Sequence, residues 1–376
     1  MHALFADSRS VRRRIGGFAG FVCFLCLLFV SALSAQQPAP IRFAVIGDSG
    51  TGGQHQYRIA KQMAAWHERL PYHLVLMLGD NIYGAYWGGG NKKYFEAKFD
   101  RPYAELLARG VIFRAALGNH DAREAGGRDL IEAYNRFHIG GPQGYYSFTA
   151  GENAKKQEAA PLVEFFVLNT MRLEKDKQDP EQLAWLEQAL SRSRARWRIV
   201  YGHHPLYSTG KRHGGDAGLR RKLEPLLLGE ATGGSPSAPP PASAPFGFAQ
   251  GKRDRLRTSP WPEQRGQDES PAPRVQVVLA GHDHIYQRFH PQGGIVYFVC
   301  GSSGKLRRGN AGPSPLVAAV EDRQRVFMLW ETTAEELRFR AINEQGQAFD
   351  CGVIRRDGTV REIACASLEG TTTAAR

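Results

Sequence analysis

Thiols are scarce: five cysteines stand in 376 residues, and two of them, Cys23 and Cys26, fall inside a single long apolar run. Metal chemistry elsewhere in the chain would therefore rest on oxygen and imidazole donors, not thiolate clusters. Only that run, IGGFAGFVCFLCLLFVSALSA, is long enough to span a bilayer, which argues against a polytopic membrane protein. No internal repeat recurs, so a solenoid or propeller is not expected. Basic–aromatic runs are missing too. The net charge of +12 then reads as a generally positive surface that attracts anionic small molecules, not as a nucleic-acid footprint.

The apolar run follows Arg12, Arg13 and Arg14 and ends in small residues, the layout of a secretory signal. We expect residues 1–35 to be a signal peptide, cut after Ser34 or Ala35, and the protein to be exported to a periplasmic or extracellular space. An uncleaved anchor is the alternative, and in that case alone a stable membrane association is expected. Removing residues 1–35 lowers the charge to +9. Of the cysteines left, Cys300 lies in an apolar strand, and Cys351 and Cys365 flank VIRRDGTVREIA, where RDG reads as a hairpin turn. An exported chain allows a Cys351–Cys365 disulfide; two free thiols are the other option.

From residue 42 short apolar strands alternate with helical patterns. RFAVIG precedes Ile59, Met63, Trp66 and Leu70 at helical spacing, followed by HLVLMLG, a helix near 91–109, and VIFRAALG. LVEFFVLN, a helix near 179–194 opened by DPEQ, WRIVYG, a short helix near 218–228 and VQVVLAG come next. This rhythm predicts an α/β fold, and the last hundred residues alternate with period two, predicting a β-rich C-terminal end. Residues 229–274 interrupt the pattern with a Pro-rich, charged stretch, read as a disordered insertion inside one domain. The domain is placed at 41–346, with a C-terminal hairpin and tail at 347–376.

Five apolar strands end in glycine followed by polar residues: GDSG at 47–50, GDNIY at 79–83, GNHD at 118–121, YGHHP at 201–205 and GHDH at 281–284. Ligands of α/β sheets lie beyond the carboxyl ends of the strands. One such acid is an ordinary turn residue or cap and one such histidine an ordinary surface group. Five sets together point to a metal site. Oxygen and imidazole donors suit iron, zinc or manganese, and a carboxylate such as Asp80 can bridge two ions about 3.5–4 Å apart. Tyr83, three residues on, explains itself as a phenolate. A free phenol titrates near 10, so only a strongly withdrawing ion, ferric iron above all, would bind it deprotonated at acidic or neutral pH. Packing of the ring is the competing role.

The ordered set GDSG, GDNIY, GNHD, VYGH and GHDH resembles the purple acid phosphatases of the calcineurin-like metallophosphoesterase superfamily, specifically their small, tartrate-resistant type. The likeness runs from about residue 42 to 346 apart from the insertion. It implies an αββα four-layer sandwich, in which Asp48, Tyr83 and His284 bind Fe3+. Asp80 would bridge, and Asn119, His203 and His282 would bind a second metal, Fe2+, Zn2+ or Mn2+. Val200 to His203 satisfies VxxH, so His203 is preferred over His204 as the ligand. By the same resemblance His120 contacts substrate with Asp121 orienting its ring, and His213, in STGKRHGGD, is a second substrate histidine. Lys211 and Arg212 are left outside the site. The implied activity is hydrolysis of small phosphate monoesters by attack of a metal-activated water. A phosphodiesterase or nucleotide hydrolase on the same metals, and a non-catalytic polyanion-binding exported protein, are the alternatives.

Overall fold

A computed structural model describes residues 40–84, 92–123, 138–151, 160–230 and 273–367. The signal expected at 1–35 and nearly all of the 229–274 insertion lie outside these residues. Among the described residues no helix is long and apolar enough to cross a membrane.

The first sheet is built on three parallel strands, β1 (Ile41–Ile46), β2 (Leu74–Met77) and β3 (Ile112–Ala115). The second holds β4 (Tyr146–Ala150), β5 (Val163–Val167), β6 (Trp197–Tyr201), β7 (Val277–Ala280), β8 (Tyr286–Phe289), β9 (Val296–Cys300) and β10 (Val317–Glu321). The chain then returns to the first sheet with β11 (Val326–Thr332), β12 (Leu337–Asn343), β13 (Ala348–Ile354) and β14 (Val360–Glu362). The two orders are β14-β13-β12-β11-β1-β2-β3 and β10-β8-β9-β7-β6-β5-β4. The β-rich C-terminal end is thus shared between two sheets, and the hairpin expected beyond residue 346 forms the outer edge of the first.

Alternation along each strand explains the layers. Phe43 and Val45 of β1 join Phe165 and Val167 of β5 in a core between the sheets. Ala44 and Ile46 face the other way, onto Ile59, Met63 and Trp66 of helix α1 (Gln54–Arg69). On the far side Phe166, Val200 and Val278 pack against Leu186 and Leu190 of α2 (Pro180–Arg192) and Leu219 and Leu223 of α3 (Ala217–Leu228). The result is the expected helix–sheet–sheet–helix sandwich. Its strands read as unbroken apolar runs because both faces are buried. Helix starts follow local chemistry: the Asp179 side chain accepts the Gln182 N–H and Asp216 that of Leu219, each capping a free helix end.

The Asp357-Gly358 turn closes β13 onto β14, with Gly358 at φ 81°, and Cys351 is disulfide-bonded to Cys365. Cys300 is a buried free thiol.

Candidate metal centre

β1, β2 and β3 in one sheet and β6 and β7 in the other deliver their carboxyl ends to the same side of the sandwich. Each then turns sharply. Asp48, Asp80 and His282 hold left-handed backbone at φ 52°, 51° and 70°, a conformation that side-chain-bearing residues rarely adopt and that costs about 1–3 kcal/mol each. Glycines at these strand ends are required by contact. A Cβ on Gly118 would stand 2.2 Å from the Asp80 backbone nitrogen, and one on Gly281 would stand 2.6 Å from the Asp48 carboxylate.

Two groups of side chains result. In the first, the Tyr83 hydroxyl lies 3.0 Å from Asp48 Oδ1 and 3.4 Å from His284 Nε2, and His284 Nε2 lies 3.3 Å from Asp48 Oδ1. In the second, His203 Nε2 lies 3.1 Å from Asn119 Oδ1 and 3.2 Å from His282 Nδ1. Asp80 joins them. Its Oδ1 is 3.5 Å from His203 Nε2, and donor atoms of Asp48, Asp80 and His203 lie within 4.8 Å of one another. All seven residues expected as ligands are therefore brought together.

The partners of these side chains fix which atoms face inward. His203 Nδ1 donates to the Leu78 carbonyl at 2.9 Å, leaving Nε2 with its lone pair toward the cluster. Asp48 accepts the His282 N–H and Asp80 accepts the His120 N–H, both at 2.8 Å, so each carboxylate is aimed by one bond from a neighbouring turn. Burial opposes ionisation of Asp48, yet the hydrogen bond from His284 and the nearby imidazoles hold its carboxyl below the usual range. Burial raises Asp80 despite His203, with Asp48 adding repulsion. Tyr83 is raised well above a normal phenol by burial, then by Asp48 and Asp80. His282 is lowered by burial and by His203, His204, His213 and His284 around it.

His204 is turned to other work: its Nδ1 meets Thr170 Oγ1 at 3.0 Å and its Nε2 meets Glu174 at 3.3 Å. The His120 ring stacks obliquely on Tyr83 with centroids 4.5 Å apart. His213 reaches the site as well, its ring 4.3 Å from that of His282. Asp121 takes a task different from orienting the His120 ring. Its carboxylate accepts the N–H groups of Asn81, Ile82 and Gly118 and the Asn81 side-chain amide at 2.8–3.1 Å. It ties the turn after β2 to the turn after β3. Burial and the Asp80 charge push it up to about 7, against those donors.

Asp283 lies between His282 and His284, and its position in GHDH gives no sequence signal of a role. Fully buried, it accepts the Ser208 hydroxyl at 2.5 Å and the Gly214 N–H at 3.1 Å, holding down the loop that carries His213. Beside the second group lies a cavity of about 490 Å³ lined by Asn119, His282, His213, Arg212 and Lys175 among others. Arg212, expected outside the site, lines this cavity, and so does Lys175, which carries no sequence signal.

Two packed mixed sheets with carboxylates, imidazoles, an amide and a phenol at their shared carboxyl edge define a metallophosphoesterase. Residues 41–286 match the calcineurin-like phosphoesterase profile, and the chain belongs to that family. Its curated relatives include human tartrate-resistant acid phosphatase type 5, 28% identical, covering 86% of this chain and 93% of the relative. Purple acid phosphatase 17 of Arabidopsis thaliana is 29% identical, covering 74% and 73%. Among solved structures, a purple acid phosphatase from yellow lupin shares the fold at a TM-score of 0.60 and 17% identity. That match covers 90% of this chain and 58% of the lupin chain.

Proposed function

We propose that the protein is an exported acid phosphatase that hydrolyses phosphate monoesters at a dinuclear centre. Asp48, Tyr83 and His284 would hold Fe3+, Asn119, His203 and His282 would hold Fe2+, Zn2+ or Mn2+, and Asp80 would serve both. The observation that carries this reading is the division of seven inward-facing donors into two groups sharing Asp80. Their chemistry fits such ions: two buried carboxylates face imidazoles and a phenol, a donor set of hard and borderline character. The phenol points to the ferric ion, because a buried hydroxyl 3.0 Å from the Asp48 carboxylate yields its proton only to a strong Lewis acid.

Bound there, the two ions would neutralise the phosphate oxygens and lower the pKa of the attacking water. The chain does the rest. Asp48 and Asp80, each aimed by a backbone N–H, set the spacing of the centre. His120 and His213, on either side, meet the ester; one of them protonates or steadies the departing alkoxide oxygen as a general acid. Residues 1–35 direct export, consistent with a disulfide in the described domain.

Purified exported protein, assayed for metals and by visible absorption, tests the centre. Two metals per chain and a phenolate-to-iron absorption band that Tyr83→Phe abolishes are expected; a colourless iron-loaded sample refutes the ferric assignment. Asp80→Asn should lose metal and activity together, whereas a polyanion binder acting by surface charge would be indifferent to it. Turnover of a monoester against a bis-ester decides between this reading and a phosphodiesterase.

A further inference from the structure

The cavity beside His282 has the size of a site for a small organic ligand, well beyond what an orthophosphate needs. Its near wall is Asn119, His282 and His213; its rim carries Lys175 and Arg212. Both cations are exposed and rooted in pinned loops. Lys175 sits at φ 54°, its N–H donated to Asp216 at 2.7 Å and its carbonyl accepting Lys222 Nζ at 2.6 Å. The Arg212 loop is held by Asp283 from below, and Lys211 beside it bonds the Gly309 and Asn310 carbonyls at 2.8 Å.

The acids lining the same cavity are already engaged. Glu174 pairs with Lys177 at 2.6 Å and faces His204, and Asp216 accepts the backbone N–H groups of Lys175 and Leu219. Among the described residues neither Lys175 nor Arg212 has an acidic partner. Lys175 and Arg212 are thus the two exposed cations of a cavity that also carries Glu174 and Asp216 and that opens beside His282 and His213.

We propose that Arg212 and Lys175 bind a second anionic group, phosphate or carboxylate, on the alcohol portion of the substrate, so that the preferred substrates are small bis-anionic phosphate esters. This rests on the phosphomonoesterase reading and names its substrate class. Guanidinium suits the role because its fork matches such oxyanions in two places at once. No covalent step is added: the rim acts on binding.

Glucose 1,6-bisphosphate and glucose 6-phosphate share a sugar and differ by one anion. The wild type should favour the bisphosphate by about tenfold in kcat/KM, mainly through KM, as expected for two partly exposed ion pairs. The double variant Arg212→Ala/Lys175→Ala should bring the ratio near that of the bisphosphate's two ester groups, Arg212→Lys should keep part of the preference, and added salt should erode it. A wild-type ratio of about two or less, or a ratio that the double variant leaves unchanged, overturns the inference. Phenyl phosphate separates the two levels. Turnover without a bisphosphate preference defeats the inference alone; no turnover of any ester by the metal-loaded enzyme defeats the phosphatase reading and this inference with it.

Discussion

Replacing Asp283 by alanine removes a carboxylate that is 0% exposed and receives Ser208 Oγ at 2.5 Å, Gly214 N–H at 3.1 Å and, more distantly, the Asn310 amide at 3.4 Å. Bonds to a charged acceptor contribute about 1.5–3 kcal/mol each. The third bond is too long to add much, and Ser208 and Gly214 are half-buried, so water partly replaces the lost acceptor. A net loss of about 2–3 kcal/mol follows, or a fall of about 5 °C in Tm for a domain of this size. The larger effect is functional. The freed loop carries His213, now 4.3 Å from His282, and an acid–base group contributes about 10²–10⁴ in rate. Partial misplacement should cost about 10- to 100-fold in kcat. A double-mutant cycle reads the mechanism: with His213→Ala already in place, Asp283→Ala should lower kcat less than twofold. Effects that multiply independently, or loss of bound metal in Asp283→Ala, would show that the carboxylate serves the neighbouring ligands and not the loop.

Further outcomes can be checked alongside. Gly118→Ala places a Cβ 2.2 Å from the Asp80 backbone nitrogen, so it should destabilise the protein by about 1–3 kcal/mol and lower metal content, measured by thermal melts and elemental analysis. Cys351→Ala/Cys365→Ala opens a cross-link with a sequence separation of 14, worth about 3 kcal/mol by chain entropy; denaturant titration should show that loss, with kcat retained because β13 and β14 form the edge farthest from the centre in strand order. Partial burial, opposed by Asp283 and reinforced by Arg212, lowers His213 below the usual imidazole range. If it is the general acid, it is charged and able to donate only below that lowered value. Activity on esters of poor leaving groups should therefore fall as pH rises toward neutrality, and His213→Ala should flatten that limb of the pH–rate profile.

Much of the molecule was written in the order of its residues. Strands buried on both faces need unbroken apolar runs, helices need apolar residues at three- and four-residue spacing, and the five strand ends each carry glycine before a polar group. These local demands fixed the sandwich, the hairpin at Asp357-Gly358 and the strand ends bearing Asp48, Asp80, Asn119, His203 and His282. What local pattern does not encode is which polar groups meet across loops distant in sequence. Asp121 looks like a partner for its neighbour His120, but the fold brings the turn after β2 against it, and backbone N–H groups claim its oxygens. Asp283 looks like a spacer between two histidines until the 208–214 loop is laid over it. Lys175 and Arg212 are ordinary surface charges until the cavity places them on one rim. Covalent geometry and burial act along the chain and are legible there, whereas hydrogen-bond partnership and charge compensation depend on through-space distance, which only the packed sheets decide.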